Sequence, residues 1–103
     1  MNSLIKVAAD YNSSGLWDEQ GHCIDVNDVN ITDDLKERLE VYVSAYEGND
    51  VFLELDNYTQ TMYRQAKAVN ALGHMIAEQI AIQLPHVKIK YFNELTVEWI
   101  DIN

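Results

Sequence analysis

The stretch GHCID at Gly21–Asp25 puts a thiol between an imidazole and a carboxylate, side chains that could serve nucleophilic or metal chemistry. Spacing argues against both. On an extended segment His22 and Cys23 point to opposite faces, so the imidazole is badly placed to activate the thiol. A zinc site needs four converging ligands, whereas this chain offers one Cys and three His without a metal-binding spacing. The chain has no Gly-x-Ser-x-Gly, phosphate-binding loop, CxxC pair or HExxH. His74 and Glu78 stand at i, i+4, the spacing of an exposed helical pair. The expectation is a protein that is not an enzyme, with no catalytic residues, no metal and no cofactor.

The chemistry that remains is electrostatic. Trp17–Asp34 (WDEQGHCIDVNDVNITDD) carries six carboxylates and no Lys or Arg. The chain as a whole has a net charge of −10, and residues 10–60 hold thirteen acids against Lys36 and Arg38. Uncompensated charge of one sign costs stability through self-repulsion. Such a surface repels phosphates, so direct nucleic-acid binding and an anionic membrane are excluded as partners. A basic protein fits it. Asp33 and Asp34 have a local role at a helix N-terminus, and Asp25 and Asp28 are also suited to turns. The candidate contacts are Asp18, Glu19, Asp25 and Asp28 before the first helix and Glu47, Asp50, Glu54 and Asp56 after it. Tyr58 is a candidate aromatic anchor.

The elements that must position these residues follow from periodicity. Residues 3–9 alternate, with Ile5 and Val7 on one side, which predicts a strand. Ser13-Ser14-Gly15 and Gln20-Gly21 are turn signals, and Leu16-Trp17 between them reads as an anchor of that loop to the core. Thr32 is a helix N-cap. Leu35, Leu39, Tyr42, Val43 and Tyr46 then form one apolar face, and Gly48-Asn49 ends the helix. Residues 49–60 read as a loop. Met62, Ala66, Val69, Gly73, Ile76, Ala77, Ile80 and Leu84 predict a long helix over about 60–84, stopped by Pro85. Gly73 in that stripe predicts a close approach to the sheet or to the first helix. Residues 86–102 alternate around Asn93-Glu94 and predict a hairpin, with Lys88 and Lys90 across from Glu98 or Thr96. The expected fold is a single α+β domain over residues 1–103. It has a small antiparallel-dominated sheet, β-α-α-β-β order and two helices packed on one face.

The lone cysteine fits a reducing compartment. The alternating N-terminus is unlike a signal peptide, and no apolar run is long enough to span a bilayer. The expected location is the cytoplasm, with the oligomeric state left open.

Several segments together carry a resemblance: GLWDEQG at Gly15–Gly21, NITDDLKERL at Asn30–Leu39, then Tyr42, Tyr46 and Glu47, LGHMIAEQIAIQLP at Leu72–Pro85 and VKIKYFNE at Val87–Glu94. Over roughly residues 4–94 the chain resembles small acidic bacterial immunity proteins of contact-dependent growth inhibition and related polymorphic toxin systems (CdiI-like). The resemblance implies a non-enzymatic inhibitor that binds one cognate toxin domain. It carries over no contact residues. Combined with the charge, the expected partner is a basic toxin domain, most plausibly a nuclease. The alternative is an acidic nucleic-acid mimic of the anti-restriction type. Mimicry favours carboxylates spaced regularly along one elongated face, whereas here they cluster in loops.

Overall fold

A computed structural model describes residues 3–48 and 60–103. The elements run β1 (Leu4–Val7), β2 (Leu16–Trp17), a 3-10 turn (Val26–Asp28), α1 (Asp33–Glu47), α2 (Gln60–Gln83), β3 (Lys88–Asn93) and β4 (Glu98–Asp101). The four strands form one sheet in the order β2-β1-β3-β4. The fold is α+β, as the periodicity predicts. Two of the three strand pairings are antiparallel, and the central pairing of β1 with β3 is parallel.

Alternation along the central strands sorts their side chains. Ile5, Val7, Ile89 and Tyr91 are buried, and together with Leu16 they meet Leu35, Leu39, Tyr42, Val43, Ile76, Ala77 and Ile80 of the helices in one core. Registered pairs Lys6↔Trp17, Lys6↔Lys90, Lys90↔Asp101 and Phe92↔Trp99 lie on the opposite face. Both described helices therefore cover the same side of the sheet.

Helix α1 has the ends its sequence predicts. The Thr32 hydroxyl accepts from Leu35 N–H at 3.3 Å, and Gly48 closes the last turn by donating to Ser44 O at 3.1 Å. A cap of this kind contributes about 1 kcal/mol. Thr32 N–H donates in turn to Gln83 Oε1 at 2.9 Å, which ties the start of α1 to the end of α2.

Gly73 brings the two helices together. A Cβ at that position would lie 2.6 Å from the Tyr42 ring, too close for any real contact. The ring occupies the space that the glycine leaves. The Tyr42 hydroxyl, thus held, accepts from Ala9 N–H at 3.2 Å just beyond β1. One side chain of α1 thereby touches α2 and the continuation of the central strand.

Two features depart from the sequence expectations. Leu16-Trp17 is more than an anchor: it pairs with Lys6-Val7 as edge strand β2, and Trp17 bridges to Cys23 beyond it. The Trp17 indole N–H donates to Ala8 O at 2.8 Å. The second departure is the hairpin turn. Asn93 is the last residue of β3, and residues 94–97 form the connection. Asn93 Oδ1 accepts from Leu95 N–H and Thr96 N–H at 3.0 and 3.1 Å, so the asparagine organises a four-residue loop instead of a two-residue turn. Val97 closes it with φ of 57°, a costly conformation for a β-branched residue. As a result Lys90 stands opposite Asp101, and Glu98 opposite Asn93.

Replacing Gly73 by Ala gains about 1 kcal/mol of helix propensity but drives a methyl group into the Tyr42 ring. Overpacking costs about 1–3 kcal/mol, so the net expectation for Gly73→Ala is destabilisation, read as a lower urea midpoint. In the Tyr42→Leu background, which removes the clashing ring, the same glycine change should be neutral or stabilising.

Candidate functional site

The expected acidic contacts fall on several elements. Asp18 begins a tight turn: its Oδ1 accepts from Gln20 N–H at 2.9 Å and His22 N–H at 2.8 Å, and Gly21 completes the turn at φ of 85°. The His22 amide hydrogen bond is the main reason the Asp18 pKa is lowered. His22 Nδ1 lies 3.4 Å from Asp18 Oδ2, so this imidazole faces a carboxylate and not the thiol of Cys23. Glu19 Oε1 accepts from Ser3 Oγ at 2.6 Å. Asp25 accepts from Asn27 N–H at 2.9 Å and caps the 3-10 turn, and Asp28 is exposed within that turn. Glu47, the last residue of α1, accepts from Asn12 N–H at 3.3 Å. Asp50, Glu54, Asp56 and Tyr58 lie outside the described residues.

Loop acids at Asp18 and Asp25 thus organise backbone, while α1 presents a further row. Lys36 lies 3.9 Å from Asp33 and Arg38 lies 3.2 Å from Asp34, so the two bases of the anionic half pair within the first turns of the helix. Further along, Glu37, Glu40 and Glu47 line a groove of about 410 Å³ between α1 and the segments Ser13-Ser14 and Val26-Asn27. This groove brings Glu47 together with Glu37 and Glu40, which the sequence reading left out. Their separations of three and seven residues, off the apolar face, were the available signal.

A second concavity lies toward the uncovered side of the sheet. Trp17, Phe92 and Trp99 form its walls with Lys6, and Asp10 and Glu94 add carboxylates, in a cleft of about 390 Å³. The Phe92 and Trp99 rings meet edge-to-face at 5.0 Å across β3 and β4. Lys6 Nζ sits 5.6 Å from the centre of the Trp99 ring. Glu94 is held through its backbone: its N–H donates to Asn70 Oδ1 at 3.2 Å, and that oxygen also accepts from the Tyr91 hydroxyl at 2.7 Å. Burial, followed by the nearby charge of Asp10, pushes the Glu94 pKa up to about 7. Tyr46, also lining the cleft, is pushed up to about 12 by burial and then by Glu94 and Asp10. Among the described residues no ion pair neutralises Asp10 or Glu94. Sequence reasoning missed this site because its walls come from four strands and the loops beside them.

Among the described residues no group of three or more His, Cys, Asp or Glu is placed to hold a metal ion. Cys23 is exposed, with its sulfur 3.3 Å from Ser14 Oγ. No helix among the described residues is long and apolar enough to cross a membrane.

A family model of Serratia CdiI immunity protein-like sequences matches residues 3–94. The chain belongs to that family. The match runs from β1 through both helices and β3 to Glu94, and so contains every loop acid and the α1 row; β4 with Trp99 follows it. No curated protein matches the chain. Membership of the CdiI-like family points to an immunity protein directed at a contact-dependent inhibition toxin.

The half-buried Glu94 carboxyl makes stability depend on pH. A folded-state pKa of about 7 against an ordinary 4.5 means that the folded protein holds the Glu94 proton more tightly than the unfolded chain. That contribution is fully present below about pH 4.5 and is lost as pH rises through 7. Glu94→Gln mimics the protonated form. It should melt a few degrees above the native protein at pH 8 and nearly level with it at pH 4.5, the gain being moderated by the partial solvent exposure of the carboxyl. Equal melting temperatures at pH 8 would show that the carboxyl is ionised without cost.

Proposed function

We propose that this protein is a cytoplasmic, non-enzymatic immunity protein that binds and neutralises one cognate basic toxin domain, a nuclease. The single observation that carries this reading is the family match over residues 3–94. The concentration of charge adds to it: residues 10–60 hold thirteen acids and two bases. A nuclease domain is basic where it holds phosphates, and carboxylates can occupy or screen that surface. Opposite charge also raises the rate of encounter, which suits an inhibitor that must reach its toxin before the toxin acts.

The proposed contact surface starts from Asp18, Glu19, Asp25, Asp28 and Glu47, extends over Asp50, Glu54, Asp56 and Tyr58, and gains Glu37 and Glu40 from the α1 groove. The exposed acids supply long-range attraction; those that also cap turns keep a fixed position at little entropic cost, because their side chains are already ordered.

Co-expression tests the reading directly. Cells producing the C-terminal toxin domain encoded beside this protein should survive when the protein is present, and the two should co-purify as a complex; growth arrest with no complex removes the proposal. Within the complex, Glu40→Lys combined with Glu47→Lys should slow association about tenfold at low salt, with a smaller effect on dissociation and a smaller difference at high salt. Glu54→Lys combined with Asp56→Lys should behave alike. A salt-independent association rate for the native pair would remove the electrostatic part of the mechanism.

A further inference from the structure

We infer that the cleft toward the uncovered side of the sheet is the receptor for a lysine or arginine side chain of the cognate toxin domain, which enters against the aromatic walls of Trp17, Phe92 and Trp99 and pairs with Asp10 and Glu94. This inference rests on the immunity reading and names the recognition chemistry within it.

The cleft differs from the rest of the anionic surface. Its walls are aromatic, its volume is about 390 Å³, and its carboxylates stand beside apolar rings. Aromatic faces attract cations through the ring quadrupole, and a carboxylate beside them completes a site for an ammonium or guanidinium group. The protein already shows this preference within itself, since Lys6 Nζ lies 5.6 Å from the Trp99 ring centre. Lys6 is one base facing two carboxyl groups, Asp10 and Glu94, so a second cation has a partner in the cleft once Glu94 gives up its proton.

The site is also firmly supported. The Trp17 indole is tied to Ala8 O, and Phe92 braces Trp99. The Asn70–Tyr91 hydrogen bonds fix the backbone of Glu94. Little ordering remains to be done when a partner arrives, a condition that favours affinity. Trp99 is 47% exposed although its neighbours hold it in place. An ordered, half-exposed aromatic residue in a cleft lined by two carboxyl groups has the character of an interface anchor. A cation entering here would hold Glu94 ionised, removing the need for the half-buried carboxyl to keep its proton at neutral pH.

The charge asymmetry gives the two surfaces separate tasks. The acids along residues 10–60 attract a basic partner from a distance. The cleft grips one of its cations after contact, where water has been excluded and the pairing is stronger. Effects on the first should fall on association and effects on the second on dissociation.

The test uses the whole chain and the toxin domain encoded beside it. Trp17 and Trp99 are the only tryptophans of the chain. Incorporation of 5-fluorotryptophan therefore yields two fluorine NMR signals, both from cleft walls. On addition of unlabelled toxin domain both should shift. Asp10→Asn combined with Glu94→Gln, and separately Trp99→Ala, should each raise the dissociation constant about tenfold or more, mainly through faster dissociation. Alanine scanning of the toxin's lysines and arginines should then find one residue whose loss has little added effect in the doubly substituted background. The carboxamide variant preserves shape, so it reports even if Trp99→Ala unfolds. A tight complex with unmoved fluorine signals and native affinity in the variants would overturn this inference while leaving the immunity function intact. The absence of any complex with the native chain would remove both. If the chain alone sediments as a dimer that the same substitutions dissociate, a second copy occupies the cleft and the inference is likewise overturned.

Discussion

The parallel pairing of β1 with β3 is the constraint on which the rest of the structure depends. It joins the first strand to one that begins some eighty residues later, with Leu4 opposite Lys88 and Val7 opposite Tyr91. A parallel pair needs a long crossover, and here β2, the 3-10 turn and both helices lie between the two strands. That crossover places α1 and α2 on one face, where Ile5, Val7, Ile89 and Tyr91 bury against them. The period of two then sends Lys6, Lys90 and Phe92 to the other face. Shifting the register by one residue would exchange the two sets and bury lysines, so core and exposed surface are specified by the same alternation.

The helical side shows how tightly that arrangement is locked. Tyr42 reaches across the space above Gly73, and its hydroxyl accepts from Ala9 N–H. Burial pushes the pKa of Tyr42 up to about 12 and that of Tyr91 higher still, so both remain neutral and protonated throughout the physiological range. Two buried phenols in a helical core carry polar atoms that would be costly if unpaired. Tyr91 donates to Asn70, and the same Asn70 side chain accepts from Glu94 N–H. The core network and the floor of the cleft are therefore one set of hydrogen bonds.

Electrostatics divides the molecule differently from packing. The bases Lys36 and Arg38 lie beside acids in the first turns of α1, and Lys88 and Lys90 lie within 4 Å of Asp101 on the sheet. Exposed pairs of this kind contribute little stability, yet they determine which acids remain uncompensated. Among the described residues those acids include the α1 row, exposed loop residues, Glu98 on β4 and the pair Asp10 and Glu94. For a protein of the CdiI-like immunity family, a partner-facing role gives an account of retained charge that folding alone does not.

Much of the fold was legible because it follows from local rules. Thr32 and Gly48 bound α1 where the cap chemistry places them, Pro85 follows α2, and alternation in Leu4–Val7 and Lys88–Asn93 marks two strands. Gly73 announced a close approach before its partner was known. Edge strand β2 was not legible, because two residues are too few for periodicity and Leu16-Trp17 extends only by pairing with Lys6-Val7. The hairpin connection was misplaced because Asn93 spends its side chain on the loop backbone, an interaction that residue type alone does not distinguish from a tight turn. Composition by itself determined the acidic half and its preference for a cationic partner, since charge is additive along a chain. Only the tertiary structure decided that Asp18 and Asp25 serve as turn acids, that Glu37 and Glu40 join Glu47, and that Asp10, Trp17, Glu94 and Trp99 share one cleft. Those residues lie far apart in sequence, and the parallel strand pairing is what makes them neighbours.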